Sequence, residues 1–303
     1  MANNTDPAKG IFAELPHIVI VAALLVVLVF VATEFQWVHC SAIPQWCSVY
    51  CSVKGHSRVA VVYDPDGGGL GNALLLRSRI EHDRPYTSVV PIRSDEISAG
   101  VLRNYALVIL TQHRKIGISE ALSVRDYLKG AQYTGGQQVR DLRDLVGGGA
   151  SLLWEGDAAS EYVITDSDDS RLRIENATSP GSYESYATYV KNHSRGFGLL
   201  GEILGARLNA TKAGSVQFKA ISDTSPIVSG VKNFNLTTTQ YAVVNEDPRL
   251  VNKIAVIKAP GGKEVPMLLE RKFVGRIVYT AIPLELIDSK TLLGNVMDYL
   301  VSC

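Results

Sequence analysis

Five side chains capable of acid–base or metal-binding chemistry follow predicted buried strands in this sequence. They are Asp64 and Asp66 after the first strand, His113 after the third, and Glu155 and Asp157 after the fourth. In an open sheet of parallel strands, residues beyond the carboxyl ends of the strands meet at one edge, where ligands bind. Carboxylates beside a histidine could bind a divalent cation, or act as general acid and base on a sugar substrate.

The same pattern has a simpler interpretation, because loops at strand ends are polar in any case. Under that interpretation the side chains are exposed, and replacing Asp157 by alanine should leave folding intact. The candidate catalytic residues are Asp64, His113, Glu155 and Asp157, without an assigned metal and with no predicted cofactor. The sequence therefore predicts a location for chemistry more firmly than an activity.

Two loops contain residues of types that bind ions. The glycine-rich turn at 64–72 lies between a predicted strand and helix, but its spacing matches neither a P-loop nor G-x-G-x-x-G, and its aspartates would repel phosphate. We interpret it as a tight turn. Asp166, Asp168 and Asp169 form an acidic loop without EF-hand spacing, so we expect a solvated turn there rather than a calcium site.

Strands and helices alternate in the first half of the predicted domain. The predicted strands are 58–63, 88–92, 105–110 and 150–154, and the predicted helices are 73–80, 97–104, 119–128 and 137–146. Ser119 is the expected N-cap of its helix. Three glycines at 147–149 end the last of these helices and turn the chain toward the fourth strand. This alternation predicts an α/β fold with a doubly wound, mainly parallel sheet.

The second half of the domain is rich in predicted strands. Helices are expected near 183–192 and 197–208, and strands at 216–221, 237–244, 253–258, 265–273 and 275–282. A final helix at 289–301 is amphipathic. Its predicted core face consists of Leu292, Leu293, Val296, Met297 and Leu300.

Residues 15–38 form a predicted transmembrane anchor. Residues 18–32 are 15 consecutive apolar residues. About 20 helical residues span a bilayer core, and Trp37 suits the interface beyond the run. Two alternatives stay open. One is a cleaved signal peptide, and the other is a type IV pilin-like processing site at Lys9-Gly10, which would make the chain a subunit of a surface filament or envelope assembly.

Sequons and cysteines indicate that the large domain lies outside the cell. Ten asparagines follow residue 51, and four of them begin N-x-[ST] sequons in predicted loops or element ends: Asn176, Asn192, Asn209 and Asn235. The predicted layout is a short cytoplasmic N-terminus at 1–14, the anchor at 15–38, a cysteine-containing neck at 39–57 and an extracytoplasmic domain at 58–303. We therefore predict a single-pass glycoprotein of the cell membrane.

The four cysteines lie at the two ends of the predicted domain, as expected for disulfides in an oxidising compartment. The expected pairs are Cys51–Cys303 and Cys40–Cys47, because the last helix of a doubly wound sheet ends at the edge where the first strand begins. The alternative pairs are Cys47–Cys303 and Cys40–Cys51. A zinc site formed by the three neck cysteines and a nearby histidine is a further alternative, although it lacks a paired C-x2-C knuckle.

Composition excludes one class of partner. Lys+Arg and Asp+Glu both total 30 among 303 residues, so the chain has no net positive charge that would favour binding to nucleic acid. Hydrophobic residues make up 46% of the chain, enough for a packed core.

Five segments of the domain resemble, in this order, segments of class I glutamine amidotransferase-like domains. They are 105–110, 142–154, LLGEILGA at 199–206, SPIVSGVKNF at 225–234 and GRIVYTAI at 275–282. The nearest branch is ThuA-like, in which the fourth segment begins with a histidine where this chain has Ser225. The resemblance covers residues 58–303 and implies a flavodoxin-like α/β domain.

The resemblance does not imply glutaminase activity. It places a nucleophilic cysteine just after the strand 150–154, paired with a downstream histidine and glutamate. This chain has Glu155-Gly156-Asp157 there and no cysteine between 52 and 302. We expect a membrane-tethered, non-catalytic domain that binds a protein or glycan at the cell surface. The alternative is an extracytoplasmic hydrolase or metal-dependent enzyme that uses the strand-end carboxylates.

Overall fold

The computed structural model describes residues 7–34, 38, 43, 45–66, 68–129, 151–165, 168–169, 188, 196–222, 224–272 and 276–301. The side chains at 7–15, 34, 47–48, 129, 199, 238 and 272 lie outside this description. The chain divides into two compact units, Met1–Lys54 and Gly55–Val301.

The first unit contains the helices α1 (Pro7–Glu34) and α2 (Trp46–Lys54). The stretch Pro16–Thr33 of α1 is long and apolar enough to cross a membrane, with mean hydropathy 2.7, and 11% of it is buried. That low burial distinguishes it from the core helix of a globular domain. α2 packs on the end of this stretch, because Trp46 Nε1 donates to the Thr33 hydroxyl at 2.8 Å.

The second unit is built around a sheet of nine described strands, with two further short strands paired beside it. The strands are β1 (Ser57–Tyr63), β2 (Thr87–Arg93), β3 (Leu107–Gln112), β4 (Lys115–Gly117), β5 (Ser151–Glu155), β6 (Glu161–Val163), β7 (Ala206–Ala220), β8 (Phe234–Glu246), β9 (Asn252–Lys258), β10 (Glu264–Lys272) and β11 (Arg276–Thr280). The sheet order is β2-β1-β3-β5-β11-β10-β9-β7-β8, and β4 pairs with β6.

One half of the sheet is parallel. β2, β1, β3, β5 and β11 all run in the same direction, as the predicted alternation of strands and helices requires. If these five parallel strands are numbered among themselves in chain order, they have the 2-1-3-4-5 order of flavodoxin-like folds. The difference is that antiparallel strands come before the fifth of them in the chain. A single row of residues, Val61, Ile109, Leu153 and Val278, runs across four strands. The carboxyl ends of these strands therefore lie at one level.

The other half of the sheet is antiparallel, which the sequence patterns did not predict. β10 pairs with both β11 and β9, and β7 pairs with both β9 and β8. β7 and β8 are much longer than the other strands, at 15 and 13 residues. Residues 217–220 of β7 pair with β9, whereas its earlier residues pair with β8 only.

Five helices of the second unit lie within the residues that the structure describes. They are α3 (Ala73–Asp83), α4 (Ala99–Leu102), α5 (Ile118–Lys129), α6 (Gly198–Leu204) and α7 (Lys290–Leu300). The Asn72 side chain caps α3 and the Ser289 side chain caps α7, each by accepting from the amide three residues later. The predicted core face of α7 is confirmed, because all five of its residues are buried.

The core lies on both faces of the parallel strands. Residues 59–62 of β1, 107–110 of β3 and 152–154 of β5 are all buried, as strands covered on both sides require. These are the apolar runs that predicted the strands.

Three local predictions were wrong, and others lie outside the described residues. Ser119 is inside α5 rather than its N-cap. The helix predicted at 197–208 ends at Leu204, because Gly205 adopts a left-handed φ of 76° and β7 begins at the next residue. Asp168 is fully buried rather than solvated, and its Oδ1 accepts from the Ser119 amide and hydroxyl at the start of α5. The predictions at 137–149 and 183–192, except residue 188, fall outside the description, as do Trp37 and Asp166.

Candidate functional site

The parallel strands end at one edge of the sheet, which we call the strand-end edge. Residues 68–72, here called the cover loop, cross this edge before α3. Leu70 of the loop packs on the turn after β5, since a Cβ on Gly156 would lie 3.1 Å from Leu70 Cβ. Gly156 has a φ of +59°, a conformation that glycine adopts without strain. The cover loop thus lies over the switch point of the sheet, where ligands bind in open α/β folds.

Asp157 fastens the cover loop to the strand-end edge. Its Oδ1 accepts from the Leu70 amide at 2.8 Å. Its Oδ2 accepts from Arg114 Nε at 2.7 Å and lies 2.6 Å from the second guanidinium nitrogen. Asp157 is 0% exposed, so the expectation of an exposed strand-end carboxylate is wrong for this residue. The reason is that the cover loop, 87 residues earlier in the chain, closes over it.

Glu155 and Glu285 form a buried pair, which we call the acid pair. Glu285 lies in the 3-10 turn Leu284–Leu286 just after β11. Glu155 Oε1 accepts from the Leu284 amide at 3.0 Å, and Glu285 Oε1 accepts from the Asn72 amide of the cover loop. Both side chains are fully buried. Within the described part of the chain, Oε2 of each has no hydrogen-bond donor.

Burial dominates the ionisation of the acid pair. It raises the pKa of Glu155 well above the usual value of a glutamate, and the neighbouring Glu285 carboxylate raises it further. Burial also raises the pKa of Glu285, although the Asn72 amide and the Arg79 guanidinium act in the opposite direction. The two carboxyl groups therefore do not both ionise readily in the folded protein.

His113 follows β3 and is also fully buried. Burial lowers its pKa to about 4, while the carboxylate of Asp64 and the carbonyl of Val62 partly oppose that effect. The imidazole is therefore neutral at pH 7. Neither ring nitrogen makes a well-formed hydrogen bond to a described residue. The backbone carbonyl of His113 accepts from the Ala159 amide at 2.7 Å, which ties the end of β3 to the turn after β5.

Two glycines let the cover loop approach the strand ends closely. A Cβ on Gly71 would overlap the hydroxyl of Thr111 and come within 3.2 Å of Glu285 Oε1. Gly69 has a φ of +100°, and a Cβ there would lie 3.1 Å from the His113 amide. In residues 68–72, the tight turn predicted at 64–72 is thus a close-fitting cover over the edge.

The predicted site residues differ in burial. His113, Glu155 and Asp157 are all buried beneath the cover loop. Asp64 is half-buried and Asp66 is exposed, and the Asp66 amide donates to Asp64 Oδ1 at 2.9 Å. Among the residues that the structure describes, no group of three or more His, Cys, Asp or Glu side chains is placed to hold a metal ion.

Sequence reasoning missed Glu285, Thr111 and Arg114. A signal for Glu285 was present, because it lies three residues after the predicted strand 275–282. The strand-end rule applied to that strand would have found it. Thr111 and Arg114 flank His113 closely enough to have been included with it, but neither residue type by itself indicates acid–base chemistry.

A second candidate site is an open cleft of about 730 Å³ in the second unit. Glycines in and around α6 form one wall. The polar lining comprises Glu202, Arg207, Asn245, Glu246 and Asp247. Asp247 is held by Arg249, whose hydrogen bonds lower the pKa of Asp247 to about 2. The cleft falls in the size range of small-molecule sites, and no sequence motif indicated it.

The predicted modification sites are partly described. Asn209 and Asn235 are both exposed, and Asn235 lies at the start of β8. Asn209 lies within β7, at a bulge where the register between the two strands shifts, so the expected loop or element-end position is wrong for this residue. Asn176 and Asn192 lie outside the described residues.

Cys51 is buried and disulfide-bonded. The side chains of Cys40, Cys47 and Cys303 lie outside the described residues, so the pairing stays a prediction. Ser225 caps the short 3-10 turn that follows it.

Several solved structures are similar to this fold, to different degrees. A ThuA-like protein from Bacteroides uniformis matches over 82% of this chain and 93% of its own, with a TM-score of 0.52 and 10% sequence identity. A cold-adapted β-galactosidase from Rahnella sp. R3 matches over 82% of this chain but 32% of its own, with a TM-score of 0.50 and 10% identity. A glutamine amidotransferase from Thermotoga maritima matches with a TM-score of 0.42 and 12% identity, over 80% of this chain and 82% of its own.

At these identities the similarity is one of fold. It confirms the predicted α/β class and the predicted likeness to the fold of a ThuA-like protein. No protein-family model and no curated protein matches the sequence.

Proposed function

We propose that this chain is a membrane-tethered, non-catalytic domain that faces outward and binds a glycan or protein at the cell surface. The observation that carries the proposal is the closed strand-end edge. An enzyme of this fold needs its substrate to reach the residues beyond the strand ends. Here His113, Glu155 and Asp157 are fully buried, and Asp157 is already bound to Leu70 and Arg114.

The open cleft beside α6 is the proposed binding surface. Asn245 and Arg207 are exposed in it, and an amide, a guanidinium and carboxylates together supply both donors and acceptors for sugar hydroxyls. That mixture favours a glycan over an apolar ligand. A protein partner that uses the same polar surface is the alternative outcome of a binding experiment.

The extracytoplasmic location belongs to the same proposal. It is supported by one helix apolar enough to span a membrane, by the sequons, and by exposure of Asn209 and Asn235. Cys51–Cys303 and Cys40–Cys47 are the proposed disulfides. Peptide mapping without reduction tests them, and free thiols at all four positions would contradict this part of the proposal.

Binding of the full chain in detergent to a glycan array tests the proposed function. We expect the wild type to bind a defined set of glycans and Arg207→Ala/Asn245→Ala to lose at least about tenfold in affinity, since each polar contact contributes about 1 kcal/mol. Lys232→Ala, at an exposed position away from the cleft lining, is the matched control and should bind as the wild type does.

A hydrolase assay tests the alternative function, an extracytoplasmic hydrolase or metal-dependent enzyme that uses the strand-end carboxylates. The same preparation is incubated with ester, amide and glycoside substrates, with and without divalent cations. Turnover that disappears in Glu155→Gln, while the folded state is retained, would show that the strand-end carboxylates are catalytic and would overturn the non-catalytic assignment.

A further inference from the structure

Two buried carboxyl groups, Glu155 and Glu285, interact directly with each other beneath the cover loop and have few hydrogen-bond donors around them. Leu284 donates to Glu155 and Asn72 donates to Glu285, but the second oxygen of each carboxyl lacks a donor among the described residues. The Thr111 hydroxyl lies close enough to Glu155 to lower the pKa of that carboxyl, but it makes no well-formed hydrogen bond among the described residues. Two ionised carboxylates in these surroundings would be desolvated and would repel each other.

The surrounding charges compensate the acid pair only in part. Arg79 of α3 attracts Glu285, but its guanidinium also donates to the Ile287 carbonyl at 2.9 Å. Arg114 is engaged by Asp157. The other titratable groups around the strand-end edge are Asp64, His113 and Tyr279. Of these, His113 is neutral, Tyr279 donates its hydroxyl to the Gly156 carbonyl at 2.8 Å, and Asp64 is a further acid.

We propose that Glu155 and Glu285 share one proton, and that this proton holds the cover loop closed over the strand-end edge. The shared proton forms an O–H···O⁻ hydrogen bond between the two carboxyl groups and leaves the pair with a single negative charge. Such charge-assisted hydrogen bonds are short and strong. Glu285 then stays in place as the acceptor for the Asn72 amide.

Loss of the proton releases the loop. As the pH rises, the proton passes to solvent and the two carboxylates repel each other. Glu285 is the partner able to move, because it lies in a 3-10 turn, whereas Glu155 ends a central strand. Its displacement frees the Asn72 amide and weakens the attachment of the cover loop. The strand-end edge would then be closed at low pH and accessible at high pH, whichever partner the cleft binds.

Hydrogen exchange of the full chain in detergent micelles tests this proposal. Exchange of a peptide spanning 68–74 is followed from pH 5.5 to 9 and corrected for the intrinsic pH dependence of amide exchange. We expect its protection to fall at least about tenfold over this range in the wild type and to stay within about twofold in Glu155→Gln, because the glutamine cannot ionise. A peptide from β3 provides the internal reference.

Two further variants serve as a second test of the acid pair and as a control. Glu285→Gln keeps an acceptor for Asn72 and should abolish the pH response as Glu155→Gln does, which also covers the case that one variant fails to fold. Asp66→Asn changes an exposed acid on the same edge and should leave the wild-type response intact. The proposal would be overturned if protection in the wild type stayed constant with pH. It would also be overturned if both glutamine variants lost as much protection with rising pH as the wild type does. Restoration of wild-type protection at pH 9 by Mg²⁺ or Ca²⁺ would overturn it as well, because a cation rather than a proton would then neutralise the pair.

Discussion

The titratable side chains of the strand-end edge lie in three different local environments. Asp157 is surrounded by donors, two of them from the charged guanidinium of Arg114. The neighbours of Glu155 are one amide donor, the nearby Thr111 hydroxyl and the carboxyl group of Glu285. His113 remains neutral because burial penalises its charged form. Side chains at one edge therefore hold different charges because their immediate neighbours differ.

Asp157→Ala should destabilise the second unit by about 2–4 kcal/mol, because it leaves the part-buried Leu70 amide without an acceptor and removes a charge-assisted pair with the buried carboxylate. Chemical denaturation of the variant and the wild type measures this loss. Asp66→Ala removes an exposed carboxylate shortly before the same loop and should cost less than about 0.5 kcal/mol. Equal effects of the two substitutions would mean that Asp157 does not fasten the loop.

His113 should make the fold sensitive to acid. Its pKa is lowered from 6.5 in the unfolded chain to about 4 in the folded protein, so the unfolded state binds the extra proton between these values. Stability is therefore complete above pH 6.5 and falls as the pH is lowered toward 4, by about 3 kcal/mol in total. The acid pair acts in the opposite direction, since its raised pKa values favour the folded state at low pH and lose that contribution as the pH rises above about 4.5.

The comparison of His113→Asn with the wild type isolates the histidine contribution. Thermal denaturation between pH 4 and 7 should show a flatter acid limb in the variant. If the two curves stay parallel over this range, His113 is not buried in its neutral form.

At the scale of elements, the parallel strands were predictable and the cover loop was not. Apolar runs such as 59–62 and 107–110 indicate strands covered on both faces, and the structure has them there. The cover loop depends on contacts between residues far apart in the chain: Leu70 with Asp157, and Asn72 with Glu285, 213 residues later. No local pattern encodes such contacts. The strand-end rule therefore located His113, Glu155 and Asp157 but did not predict that they are buried.

Gly71→Ala tests how closely the cover loop must fit. An added Cβ would overlap the Thr111 hydroxyl and approach Glu285, so we expect a loss of about 1–3 kcal/mol together with faster exchange of the loop amides. Gly100→Ala is the matched control, because nothing lies within 4 Å of its added Cβ and it is in α4. That substitution should raise stability by up to about 1 kcal/mol. A neutral Gly71→Ala would mean that the loop has room above the edge.

At the scale of the whole molecule, an apolar helix at one end and a folded α/β unit are separate parts of one chain. Length and composition alone predicted the helix, since 15 consecutive apolar residues need no tertiary information. The antiparallel half of the sheet could not be predicted in the same way. Short apolar strands predict that strands exist, but their direction depends on which neighbours they pair with.

The orientation of the chain in the membrane is a prediction that lysine labelling can test. If the large unit faces outward, an impermeant amine reagent on intact cells should modify the exposed lysines of that unit, such as Lys232 and Lys263. Lys9, in the predicted cytoplasmic stretch 1–14, is the control within the same chain and should react only after the cells are permeabilised. Because the reagent carries charge, the bilayer core excludes it, so the two sets of lysines report opposite sides. Modification of Lys9 on intact cells with protection of Lys232 would reverse the topology. Loss of the peptide containing Lys9 from the mature protein would instead indicate N-terminal processing, as the signal-peptide and pilin-like alternatives require.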